Sequence, residues 1–102
     1  PNCVTNHLEW IKELTATEKA SQYRHKIRRA SDEAITCTVL LAYNLWIGNL
    51  PVPTKERSYF VRNKQKLVGL LSRQQGVKGK RAFLLGNKNL VLRLLKVFLS
   101  LE

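Results

Sequence analysis

In 102 residues the chain has no methionine, two cysteines, three prolines, five glycines and only seven acidic side chains. Each scarcity excludes something. Cys3 and Cys37 match no metal-ligand spacing, so no metal site is expected, and both read as free thiols. Cys37 falls inside an apolar segment, the usual place for a small buried hydrophobe. A Cys3 to Cys37 disulfide is compatible with the count, but nothing in the sequence calls for it. His7 and His25 lack ligand-spaced partners, no serine stands in a nucleophile-elbow context, and no glycine pattern follows a strand to make a phosphate loop. Neither a catalytic centre nor a cofactor is therefore expected. The longest apolar run, Ala34 to Ile47, is about 14 residues, short of the roughly 20 that span a bilayer. No N-terminal apolar segment reads as a signal peptide. A chain that starts at Pro1 without any methionine is expected to have lost its initiator or to be a piece of a longer product. The setting these features fit is intracellular, in the nucleus or in a virion.

What is present is enough apolar material for one core. Apolar residues make up 44% and charged residues 25%, which is ordinary for a globular chain. A length of 102 residues supports a single domain spanning 1–102. The charge is lopsided: 18 Lys and Arg against seven acids give a net +11. That field favours polyanionic partners, nucleic acid before anionic membrane, with an acidic protein as the other partner it suits.

The periodicity is helical throughout, without strand alternation, hairpin signals or repeats. Asn6 and Glu9 have capping-box spacing and open a short helix with Leu8, Ile11 and Leu14 on one face. Thr15 and Thr17 offer a break and a new N-cap, after which Ala20, Tyr23 and Ile27 share a face up to Arg29; one kinked helix is the alternative. Ser31 reads as the N-cap of the central helix, with Asp32 and Glu33 on its first turn, where the helix dipole favours negative charge. From Ala34 to Ile47 apolar side chains point in nearly every direction, which predicts a helix surrounded by others. Gly48, Pro51 and Pro53 end it. Thr54 caps a helix to about Gln75, Gln74 to Gly79 reads as a loop, and Lys80 to Leu85 as a short helical piece stopped by Gly86. Asn87 or Asn89 begins a last helix, apolar except for a thin stripe of Arg93, Lys96 and Ser100. The expected fold is all-α, a compact bundle of four to five helices around a central apolar helix at about 31–47.

The candidate binding residues are the basic ones. Between Thr54 and Arg81, nine cations (Lys55, Arg57, Arg62, Lys64, Lys66, Arg73, Lys78, Lys80 and Arg81) face Glu56 alone. Arg24, Lys26, Arg28 and Arg29 form a second cluster. A hairpin closing at Gly48 to Pro53 would bring the two clusters onto one phosphate-binding face. With no helix-turn-helix spacing, zinc finger or aromatic platform, contacts would go to the backbone with weak sequence preference. Two other readings fit the same residues: an assembly module that meets a capsid or host protein or its own copies, and, least favoured, a membrane-active C-terminal helix at Leu90 to Leu101.

The strings KIRRASDEAI at Lys26 to Ile35 and NLWIGNLPVP at Asn44 to Pro53 resemble the small basic proteins of Polinton or Maverick elements and the related adintoviruses. Asn44, Gly48, Asn49, Leu50 and Pro51 fit that family's turn, Lys66 to Leu71 its lysine-rich helix, and Lys80 with Arg81 the basic pair before its apolar tail. The likeness covers about Arg24 to Leu101. It departs at Gly86 to Asn89, where a glycine-rich junction is expected, and in a tail carrying Arg93 and Lys96, which favours a folded helix over a membrane-inserting one. The resemblance implies a virion or mobile-element product, a genome-associated core protein like the small basic core proteins of adenoviruses, bound to DNA ahead of RNA.

Overall fold

The computed structural model describes residues 2–47 and 76–100, and within them the chain is all-α. Five helices pack together: α1 (Asn2–Thr15), α2 (Ala20–Arg29), α3 (Asp32–Ile47), α4 (Gly76–Gly86) and α5 (Lys88–Ser100). The helix expected from Thr54 to Gln75 and the turn at Gly48 to Pro53 lie outside the described residues.

The central position of α3 follows from its composition. Helices α1, α4 and α5 all pack against it, while α2 packs on α4 and α5 also meets α1. Ile35, Cys37, Val39, Leu41, Ala42 and Leu45 of α3 are buried. Ser31 caps the helix as expected: its Oγ accepts from the Ala34 N–H at 3.1 Å, and its carbonyl accepts from Ile35 at 3.0 Å. The extended backbone of Ala30 (ψ 149°) separates α2 from α3. Burial is nevertheless incomplete around the axis. Leu40 is 47% exposed and Tyr43 38%, so an all-round apolar helix here keeps one side open.

The last helix is amphipathic. Leu90, Val91, Leu92, Leu94, Leu95 and Val97 are buried and Arg93, Lys96 and Ser100 exposed, matching the expected polar stripe. Each leucine fully removed from water contributes roughly 1.5–3 kcal/mol.

Three local expectations shift. The Asn6 and Glu9 signal does not start α1, which begins at Asn2; the backbone irregularity falls one residue later, at His7 (φ −122°, ψ 19°), as a kink within the helix. Thr17 does not cap α2, whose N-cap position is Lys19, and Ala20 is exposed. The Thr17 hydroxyl donates back to the Glu13 carbonyl at 3.0 Å and so serves the end of α1 instead, a bond available to threonine four residues beyond a free carbonyl. Finally, Gly76 to Gly79 belongs to α4 rather than to a loop. Gly76 has φ +74°, a left-handed conformation that suits glycine, and from there the helix runs on through Gly79. Burial of Phe83 and Leu84 and the contacts of Arg81 with α2 outweigh the poor helix propensity of its glycines.

Polar groups inside the bundle tie helix to helix. The fully buried Tyr23 donates its hydroxyl to the Leu84 carbonyl at 2.7 Å, fixing α2 on α4. Trp10 Nε1 donates to Thr38 Oγ1 at 2.9 Å, and that hydroxyl donates to the Ala34 carbonyl at 2.7 Å, fixing α1 on α3. Asn87 joins α4 to α5: its Nδ2 donates to the Phe83 carbonyl at 2.9 Å, while its own carbonyl accepts from the Val91 N–H at 2.9 Å. Among the described residues no buried side-chain nitrogen or oxygen is left without a partner.

Candidate nucleic-acid interface

Helix α2 sorts its residues by face. Tyr23 and Ile27 turn into the core, and the spacing of three to four residues that places them there puts Arg24, His25, Arg28 and Arg29 on the exposed side. Among the described residues, Arg24, Arg28 and Arg29 have no carboxylate partner. They rise from a packed helix with their guanidiniums open to solvent, which suits bidentate contact with phosphate oxygens.

Lys26 is placed differently. It is half-buried, and its Nζ donates to Thr17 Oγ1 at 2.6 Å and to the Glu13 carbonyl at 3.2 Å. A lysine at a helix C-terminus satisfies carbonyls that have no intrahelical donor and complements the negative end of the dipole. Its ammonium thus closes α1.

Arg81 performs the same service for α2. One guanidinium nitrogen donates to the carbonyls of Ile27 at 2.6 Å and Ala30 at 2.9 Å, with a longer contact to Arg28 at 3.5 Å. The other nitrogen donates to Asp32 at 2.9 Å. These contacts bring α4 to the basic end of α2, so the exposed Lys78, three residues before Arg81, and the half-buried Lys80 lie on the element adjoining Arg28 and Arg29. Lys55, Arg57, Arg62, Lys64, Lys66 and Arg73 lie outside the described residues.

A cleft of about 510 Å³ between the α1–α2 connection and α5 is bordered by Lys88, Arg93 and Lys96, with Glu18 opposite. None of the three cations was among the expected nucleic-acid contacts. The signal of Arg93 and Lys96 was visible in the polar stripe of α5, but not the fold that sets this stripe beside Thr17 and Glu18. Lys88 Nζ donates to the Glu18 carbonyl at 3.0 Å across the cleft. A shallower depression of about 500 Å³ next to the Arg81–Asp32 pair is walled largely by Val77, Ala82 and Leu85.

Among the described residues no three metal-ligating side chains come together, and no helix is long and apolar enough to cross a membrane. No family model matches the chain, and neither the curated proteins nor the solved structures contain a match.

Proposed function

We propose that this is a non-enzymatic helical protein that binds nucleic acid through phosphate contacts, DNA ahead of RNA, in packaging or condensing a viral or mobile-element genome. The observation that carries this reading is the row of exposed Arg24, Arg28 and Arg29 without carboxylate partners among the described residues, in a chain of net charge +11. Lys78 and Lys80 on the adjoining α4 extend the same sign of charge. Lys26 and Arg81 support the face from beneath by capping α1 and α2. The genome-associated setting rests on the likeness of residues 24–101 to the small basic proteins of Polinton and Maverick elements. Contacts made by flexible cations to a regular backbone recognise charge spacing rather than base edges, so affinity should depend little on sequence.

The test is fluorescence anisotropy of the 102-residue chain with a labelled random duplex and with a single-stranded RNA of equal length at 50 mM salt. Saturable binding that survives a change of sequence supports the proposal. Absence of binding to both removes it.

A second reading, an assembly module that pairs with its own copies or with a capsid or host protein, draws on the exposure of the large apolar side chains Leu40 and Tyr43 on the central helix. Light scattering distinguishes the two: a strict monomer that binds duplex DNA excludes self-association as the primary role. The membrane-active reading of the C-terminal helix has less to draw on, because the leucines of α5 from Leu90 to Leu95 belong to the core.

A further inference from the structure

The cleft between the α1–α2 connection and α5 is separate from the exposed face of α2, since none of Arg24, Arg28 and Arg29 lines it. Two of its lining residues, Leu92 and Thr17, are buried, whereas Arg93 and Lys96 are exposed and Lys88 is half-buried. The two walls are bonded to each other, because Lys88 Nζ donates to the Glu18 carbonyl at 3.0 Å. An ammonium carries three N–H groups, so this bond leaves Lys88 with donors for a ligand. A fourth cation is attached to the opposite wall: Lys26 Nζ donates to Thr17 Oγ1 at 2.6 Å. Glu18 is the one carboxylate among the lining residues, and it makes no ion pair with Lys88 or Lys96. Arg93 and Lys96 stand one turn apart on α5, where like charges repel and cost stability until an anion lies between them.

We propose that this cleft binds a small oligophosphate, the phosphate chain common to inorganic triphosphate and a nucleoside triphosphate. Its size suits such a ligand: about 510 Å³ falls within the roughly 300–1,000 Å³ of small-molecule sites, while a nucleic-acid duplex is too wide to enter and meets the rim at most. The arrangement of the cations selects for a chain of phosphates. Lys88, Arg93 and Lys96 follow one another along α5 over a rise of about 12 Å, so a single phosphate reaches one or two of them and an extended oligophosphate reaches all three. Arg93 offers a planar fork to one phosphate, and the two lysines act as point charges on the others. Glu18 opposes the ligand and limits its affinity. The proposal goes beyond nucleic-acid binding and stands or falls without it.

The test is isothermal titration calorimetry of the native 102-residue chain at low salt with sodium tripolyphosphate, ATP, inorganic phosphate and adenosine. Tripolyphosphate and ATP should each bind one per chain and raise the thermal midpoint. Inorganic phosphate should bind at least about tenfold more weakly, and adenosine not at all, because the contacts are charge-assisted. Equal affinity for the two oligophosphates identifies the phosphate chain as the whole ligand, and tighter binding of ATP adds the nucleoside to it. Replacing Arg93 and Lys96 together with Ala should weaken binding at least about tenfold, whereas Lys96→Arg should retain it and Glu18→Gln should strengthen it. Both replaced side chains are exposed, so the fold should persist, and circular dichroism checks this. Three results overturn the site: no binding of either oligophosphate by the wild type, uptake of several equivalents per chain, or an Arg24, Arg28 and Arg29 triple Ala variant that loses as much affinity as the Arg93 and Lys96 variant. The last two would mean that the anions condense on the basic surface at large.

Discussion

Arg81 and Asp32, 49 positions apart in sequence, meet at 2.9 Å where α2 ends and α3 begins. The same guanidinium holds the Ile27 and Ala30 carbonyls, so a single side chain on α4 closes one helix and joins the first turn of the next. This geometry makes Arg81, like Lys26 at the end of α1, a structural cation.

The consequence is measurable as stability. Arg81→Ala leaves carbonyls at the end of α2 without their donor and should cost about 1–3 kcal/mol in urea unfolding. Asp32→Asn keeps a hydrogen-bond acceptor, and the aspartate side chain is 69% exposed, so the loss should be under about 1 kcal/mol. Equal costs for the two variants would mean that the ion pair, and not the capping of α2, is what Arg81 supplies.

Ser31→Ala should destabilise the chain by about 1 kcal/mol, because the Ala34 N–H loses its acceptor at the start of the helix around which the bundle is built. Ser31→Asp, which keeps a capping oxygen and adds charge at the positive end of the dipole, should restore stability. Thermal unfolding of both variants checks this, and an unchanged midpoint for Ser31→Ala would show that the cap contributes nothing.

Two buried acids set the alkaline limit of the fold. Burial raises Tyr23 above its ordinary value of 10.0, and burial together with the Cys3 thiol raises Cys37 from 9.0 to about 12. Each group ionises first in the unfolded chain, which then binds fewer protons than the folded one. Stability should therefore be intact below pH 9 and fall as pH rises, by up to about 1.4 kcal/mol per pH unit for each group. Cys37→Ala should flatten the profile from about pH 9 upward and Tyr23→Phe from about pH 10. Tyr23→Phe also forfeits its bond to the Leu84 carbonyl, at a cost of about 1–2 kcal/mol at neutral pH. Profiles identical to wild type would mean that these groups ionise as freely in the fold as out of it.

Much of this fold was legible in the sequence because the decisive signals are local. The cap at Ser31, the acids at Asp32 and Glu33, and the apolar spacing of Leu90, Val91, Leu94 and Leu95 each depend on residues a turn or two apart. The missed features depend on distant partners. Nothing near Gly76 announces that helix α4 begins there, since burial of Phe83 and Leu84 and the contacts of Arg81 draw on elements far away in sequence. The same holds for the cations. Composition could mark Lys26 and Arg81 as basic, but only the fold sets them on the carbonyls of α1 and α2.

The side chains of Arg24, Arg28 and Arg29 are exposed and have no hydrogen-bond or ion-pair partner among the described residues, so replacing all three with Ala should change stability by no more than about 0.5 kcal/mol at each site. That separates binding from folding. The most direct measurement is the salt dependence of duplex binding for wild type and for this triple variant, read as the slope of log affinity against log salt. Six neutralised phosphates correspond to a wild-type slope of roughly −5, and removal of three contacts makes it shallower by about 2 to 3. A slope near zero in the wild type, or a triple variant that binds with the wild-type slope and affinity, would contradict phosphate recognition by the exposed face of α2.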